Sequence, residues 1–164
     1  MAERQERDEN AEFERIAVRA LREDDLEPIV RIDASTMGRR RVEYYKAKIA
    51  AALQESRPRV SLVAEADGIV AGFLMATMQY GEFGRLEPAA VIDSLGVHQD
   101  MRHRGVGDAL MRQFIQHVRA LAVERIRSEV AWTDFPLLGF LGHWGFAPGG
   151  RLVLELEVKH APMR

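Results

Sequence analysis

The stretch Ala90-Val91-Ile92-Asp93-Ser94-Leu95-Gly96-Val97, followed by Arg102-His103-Arg104-Gly105-Val106-Gly107, decides the fold, because it joins an apolar strand to an amphipathic helix through a basic, glycine-bearing bend. Gly105 and Gly107 let the backbone approach a ligand and take dihedrals that a Cβ would penalise. Consecutive amide N–H groups can then turn toward one anion. The helix that follows carries Leu110, Phe114, Val118 and Leu121 at helical spacing, with Met111 and Ile115 beside them and Arg112, Gln113, Gln116 and Arg119 left for solvent. Its first turn brings unpaired N–H groups and a partial positive charge, to which Arg102 and Arg104 add full charges. The bend therefore reads as a site for a pyrophosphate. Neither the dinucleotide-binding GxGxxG with a later acid nor the nucleotide-binding GxxxxGK followed by Ser or Thr is present.

Upstream, a strand at about Ile16 to Ala20 leads to the capping pair Asp24-Asp25 and a helix with Leu26, Ile29 and Val30 on one face. A second helix is expected from Arg40 to Leu53, burying Val42, Tyr45, Ile49 and Leu53 and leaving Arg41, Lys46 and Lys48 at its edge. Val60 to Ala66 and Ile69 to Met78 are apolar runs joined by Asp67-Gly68, the two-residue loop of a type I′ hairpin. A loop from Tyr80 to Pro88 precedes the strand at Ala89 to Val97. Downstream come a strand near Ile126 to Trp132, a short helix capped by Asp134 and stopped by Gly145, and an alternating terminal strand at Leu152 to Val158. The order implies a mixed, mostly antiparallel α/β (α+β) sheet with helices on both faces. The terminal strand is an edge on which a second copy could pair as a homodimer, and Glu155 and Glu157 could equally prevent that.

Arg102, Gly105 and Gly107 fill the pattern Gln or Arg, two residues, Gly, one residue, Gly or Ala, and a Gly145-Phe146 pair follows the last helix. In these features and in element order over residues 15 to 158, the chain resembles the GCN5-related N-acetyltransferase (GNAT) superfamily. The resemblance implies the acetyltransferase fold, with splayed central strands admitting a pantetheine arm, and acetyl-coenzyme A as cofactor. It places Gly96 at a bulge and pairs the backbone of Leu95 and Val97 with the pantetheine amides. It gives the diphosphate to Arg102, His103, Arg104, Gly105, Val106, Gly107 and Asp108, and sets Phe135, Leu138 and Phe140 along the other wall of the gap.

Acetyl transfer to an amine needs a group that takes the ammonium proton. Asp93 is the first candidate: simple alternation puts it on the face of Val91, Leu95 and Val97, an ionisable group in an apolar stripe. A structural ion pair or loop cap is the competing reading for that acid. Glu82, in the loop before the strand, is the second candidate catalytic acid. Tyr44, Tyr45 and Phe83 are candidates to line the acceptor pocket. The family often carries a Tyr four residues before the Gly of the Gly-Phe pair to protonate the departing thiolate, and here that position is Leu141. Tyr80, Ser94, His143 or water would have to substitute, or the protein is a non-catalytic acyl-coenzyme A sensor. Glu82, Glu87 and Asp93 point to a cationic small-molecule or peptide amine as acceptor.

The 164 residues suit one domain, 15–160, behind a polar extension at 1–14 that lacks the apolar core of a signal peptide, so a cytoplasmic protein is expected. A net charge of −2 gives no reason to expect nucleic-acid or membrane binding. The absence of cysteine excludes disulfides, thiolate metal sites and a cysteine acyl relay. Five scattered histidines without ligand spacing give no metal site. Phe73, Met75, Phe114, Trp132 and Trp144 read as core.

Overall fold

The computed structural model describes residues 16–81 and 87–160. Strand β1 (Ile16–Ala20) leads through a single helical turn at Glu23–Asp25 into helix α1 (Leu26–Met37), followed by α2 (Val42–Ala52). Strands β2 (Leu62–Ala66), β3 (Ile69–Gln79) and β4 (Ala89–Val97) come next, then α3 (Val106–Ala120) and β5 (Arg125–Ser128). The chain divides after Glu129 into two compact units, and the second carries α4 (Phe135–His143). Among the described residues no helix is long and apolar enough to cross a membrane.

The five strands lie in sequence order, antiparallel except for the parallel pair β4–β5. Asp67 and Gly68, at φ 52° and 77°, make the β2–β3 turn with both central residues left-handed, as a type I′ hairpin requires. The sheet is covered on both faces. Ile29, Val30 and Ile32 of α1 and Tyr45 and Ile49 of α2 form one core with Leu21, Val63, Phe73 and Met75. The opposite face receives α3, whose Val106, Leu110, Met111, Phe114 and Val118 are buried. That helix sits close because Gly72 has no side chain: a Cβ there would lie 2.8 Å from Val106 Cγ1 and 3.2 Å from Leu110 Cδ1. Since Gly72 pairs with Val97, the contact also fixes the start of α3 beside the end of β4.

Ion pairs fasten α1 to the sheet. Arg19 of β1 reaches Asp25 through both Nη atoms, at 2.8 and 2.7 Å, and Glu65 of β2 through Nε at 2.7 Å. Asp25 also accepts the Arg22 N–H at 2.7 Å, which closes the turn before α1. Bonds to two acids hold the Arg19 guanidinium above its ordinary pKa, Asp25 first, against a smaller opposing effect of burial.

Several boundaries differ from the sequence expectation. Helix α2 starts at Val42 because Arg41 leaves helical geometry, and its side chain is drawn onto Asp33. The strand expected to reach Trp132 ends at Ser128, and Trp132 is 87% exposed instead of packed in the core. In the second unit the run Leu152 to Val158 forms no strand, having no ladder partner among the described residues. Its Leu152, Leu154 and Leu156 are exposed.

Candidate active site

The site is built where β4 loses one neighbour. Its residues 89–97 run beside β3, but parallel pairing with β5 stops at Ile92 opposite Ser128. From Asp93 to Val97 the β5 side of the strand has no ladder partner among the described residues, which leaves main-chain polar groups for an extended ligand. This is the expected splay.

The irregularity in β4 falls at Asp93, not at Gly96. Met75 pairs with Ser94 and the next residue, Ala76, pairs with Ile92, so Asp93 is the extra residue of a bulge. The bulge reverses the alternation beyond it. Leu95 and Val97, opposite Leu74 and Gly72, face α3, whereas Ser94, opposite Met75, faces α1 and α2. Asp93 therefore does not share a face with Leu95 and Val97. Gly96 stays in register opposite Phe73, and it is glycine for a packing reason: a Cβ would lie 2.6 Å from Phe73 Cε1 and 3.1 Å from Ile32 Cγ2.

At the bulge Asp93 pairs with Lys48, which reaches across from α2. The same ammonium donates to Ser94 Oγ at 3.1 Å and lies 5.2 Å from the Tyr44 ring centroid. Two helical turns before Lys48, at the N-cap of α2, Arg41 forks onto Asp33 at 2.8 and 2.6 Å, and the Tyr45 hydroxyl donates to the same carboxylate at 2.9 Å. Burial works to raise the Asp33 pKa, but hydrogen bonds from Arg41 and Tyr45 outweigh it and hold the acid below its ordinary value. Tyr45 is pushed well above the usual phenol value, chiefly by burial and then by that carboxylate. It is a core residue, 2% exposed, rather than a pocket lining. Tyr44 is exposed, under the Arg41 guanidinium at 4.6 Å.

At the far end of β4, the His98 N–H closes the strand onto Ala71 O at 2.7 Å, and a short turn at Gln99–Met101 leads into the bend. His103 and Gly105 both have positive φ, 60° and 84°, and Gly105 is the N-cap of α3 without any side-chain cap. The first α-helical bond runs from Ala109 N–H to Gly105 O at 2.9 Å, so the turn before it presents its amides outward. Val106 is buried as the anchor of that turn, while Arg102, His103 and Arg104 are exposed around it. Arg102 meanwhile donates to Thr36 Oγ1 of α1 at 3.0 Å. Gly107 and Asp108 lie in the first turn, half-buried.

The structure thus brings Asp93, Leu95, Gly96, Val97 and the bend 102–108 onto one strand–turn–helix unit. Glu82 and Phe83 lie outside the described residues. Phe135, Leu138 and Phe140 lie on α4 in the second unit, the first two exposed and the third half-buried. Leu141 is buried on the same helix and offers no proton. Of the groups that could replace a tyrosine there, Ser94 lies at the bulge, Tyr80 is exposed after β3 and His143 is exposed at the end of α4. No cluster suited to a metal ion occurs among the described residues. Sequence reasoning left Lys48 at a helix edge and passed over Arg127 of β5, because their positions follow from tertiary packing, not from local pattern.

Comparison with known proteins agrees with this geometry. The profile described as Acetyltransferase (GNAT) family matches residues 9–146. No curated protein sequence matches the chain. Among solved structures, the aminoglycoside N-acetyltransferase AAC(6')-Iy in complex with coenzyme A is similar with a TM-score of 0.73 at 18% identity, over 87% of this chain and 95% of that one. A transcriptional regulator from Bacillus halodurans C-125 gives 0.72 at 20% identity, over 87% and 99%. Ard1 from Thermoplasma volcanium gives 0.67 at 25% identity, over 81% and 83%.

Proposed function

The chain belongs to the GNAT acetyltransferase family, and on that premise we propose that it is an N-acetyltransferase carrying an acetyl group from acetyl-coenzyme A to a primary amine by direct attack. The observation that carries this reading is the parting of β4 from β5 immediately before Asp93, with a glycine-capped helix start at the other end of the same strand. The residues present fit the coenzyme, which the family uses. Gly105 at φ 84° exposes the first-turn amides of α3, and the unladdered side of β4 offers an extended main chain.

When bound, acetyl-coenzyme A supplies an activated acyl group on a thiolate leaving group. The amides of the bend 102–108, with Arg102, His103 and Arg104 around them, hold the diphosphate. The backbone of Leu95 to Val97 holds the pantetheine amides. Phe135, Leu138 and Phe140 are assigned to the coenzyme by family resemblance alone, and Glu82 to the acceptor by its place in the loop. Asp93 attracts the acceptor's ammonium and takes or relays its proton. Lys48 occupies that carboxylate at rest, so the arriving ammonium replaces one cation with another and the acid is never left unpaired.

A coenzyme-binding sensor is the second reading, favoured by Leu141 where the family often has tyrosine. Thiol release, assayed with polyamines, aminoglycosides, amino acids and peptides, separates the two. Asp93→Asn should lower turnover by about a hundredfold or more, as loss of a general base does, and leave coenzyme affinity within about twofold. Unaltered turnover across the pH range removes Asp93 from this role. Tight coenzyme binding without release for any amine supports the sensor.

A further inference from the structure

Among the described residues Arg127 has no counter-ion. Its Nε is buried without a hydrogen-bond partner, and among the described residues no ion pair or hydrogen bond holds the guanidinium. A charged donor left in that state is costly in a folded protein unless a ligand completes it. Two other arginines on this side of the sheet are satisfied, Arg19 by Asp25 and Glu65 and Arg41 by Asp33. The residue as a whole keeps part of its surface in solvent, so a ligand can reach it.

Register places Arg127 on the acceptor side. Phe73 and Met75 lie in the core beneath α1 and α2, and alternation along β3 puts Thr77 on that same face. Thr77 pairs with Val91, and Val91 pairs with Arg127, so the face carries across to β5. Lys48 meets Asp93 and Ser94 from this face. Arg127 and Asp93 lie on neighbouring strands two residues apart in register, a separation of about 8 Å between Cα atoms for ordinary strand spacings.

Resting on the acetyltransferase reading, we propose that Arg127 binds a carboxylate of the acceptor, which is therefore a small amine bearing a carboxylate a few bonds from its nitrogen. An acceptor with one ammonium and one carboxylate leaves the summed charge of Asp93, Lys48 and Arg127 unchanged. Asp93 receives the ammonium, Lys48 is released from it, and the two cations Lys48 and Arg127 then face a ligand that brings its own negative charge. A purely cationic acceptor would leave both cations against the single carboxylate of Asp93.

The test measures thiol release with free amino acids and with the corresponding amino acid amides, using wild type, Arg127→Gln and Arg127→Lys. Calorimetry of each acceptor on the coenzyme A complex gives a second readout. Wild type should prefer the carboxylate form by about tenfold or more in kcat/KM, carried in KM. Arg127→Gln should shrink that preference to about twofold, with a parallel loss in calorimetry, and Arg127→Lys should retain part of it. Equal use of acids and amides by wild type overturns the assignment, as does a preference that survives in Arg127→Gln. Acetylation confined to polyamines or aminoglycosides overturns it while leaving the transferase reading intact. Absence of release with every amine overturns both.

Discussion

Gly96→Ala isolates the packing that holds β4 in place. Gly96 does not have a positive φ, so alanine is allowed by the backbone and only space opposes it. The added methyl would lie 2.6 Å from Phe73 Cε1, 3.0 Å from its Cζ and 3.1 Å from Ile32 Cγ2. The ring has little freedom to withdraw, being 1% exposed and set edge-on to Tyr45 with centroids 5.7 Å apart. Overpacking of this kind costs about 2 kcal/mol. Replacing glycine returns roughly 0.5–1 kcal/mol through the unfolded chain. The net loss of about 1–1.5 kcal/mol corresponds to a fall in Tm of roughly 2–6 °C for a protein of this size. Calorimetric melts of wild type, Gly96→Ala, Phe73→Leu and the double variant form a cycle, since a smaller side chain at position 73 removes the collision. The double variant should be less destabilised than the sum of the single ones, by about 1 kcal/mol. A neutral Gly96→Ala, or strict additivity, refutes the argument that Phe73 is the reason for a glycine.

Asp33→Asn leaves Arg41 facing a neutral amide in a mostly buried pair and should cost about 2–3 kcal/mol at neutral pH. Because the folded state holds this carboxylate below its ordinary value, the stability it contributes is present above the unfolded pKa and disappears as pH falls through the folded one. The gap between wild type and Asp33→Asn in thermal melts should be constant above about pH 5 and close below about pH 4, and a gap that widens in acid contradicts the assignment. Gly105→Ala asks an L-residue to hold φ near 84° at a cost of about 1–2 kcal/mol, so the bend relaxes and coenzyme A affinity in calorimetry should fall at least about tenfold. Retained affinity would show that the bend is not the anion site. Asp134→Ala removes the cap on the Leu137 N–H, now at 3.2 Å, and should cost about 1 kcal/mol, read as faster amide exchange in the first turn of α4; unchanged exchange rejects the cap.

The unit that sets the fold was legible because each of its parts leaves a local mark. An apolar run, two glycines just after a basic cluster and a helical apolar stripe name β4, the bend and α3 in order. The hairpin at Asp67-Gly68 is equally local. What escaped was tertiary. A bulge adds one residue without any compositional sign, so alternation assigned Asp93 to the face of Leu95 and Val97, and the register with β3 moved it. Gly96 looked like a bulge when its absence of side chain serves the Phe73 ring. Lys48 pairs with Asp93 only because α2 crosses the sheet at one place. Trp132 and the run from Leu152 to Val158 are apolar in composition yet exposed, and composition alone cannot show that among the described residues no strand pairs with them.

We propose that the bend between β4 and α3 wraps a diphosphate with main-chain N–H groups while the unladdered side of β4 takes up the pantetheine arm. A crystal structure of the protein grown with coenzyme A tests it directly. Phosphate oxygens should lie within hydrogen-bond distance of the amides around Gly105 and Gly107, with the pantetheine amides bonded to the backbone between Asp93 and Val97. Coenzyme A bound at another surface, with that bend empty, would contradict it.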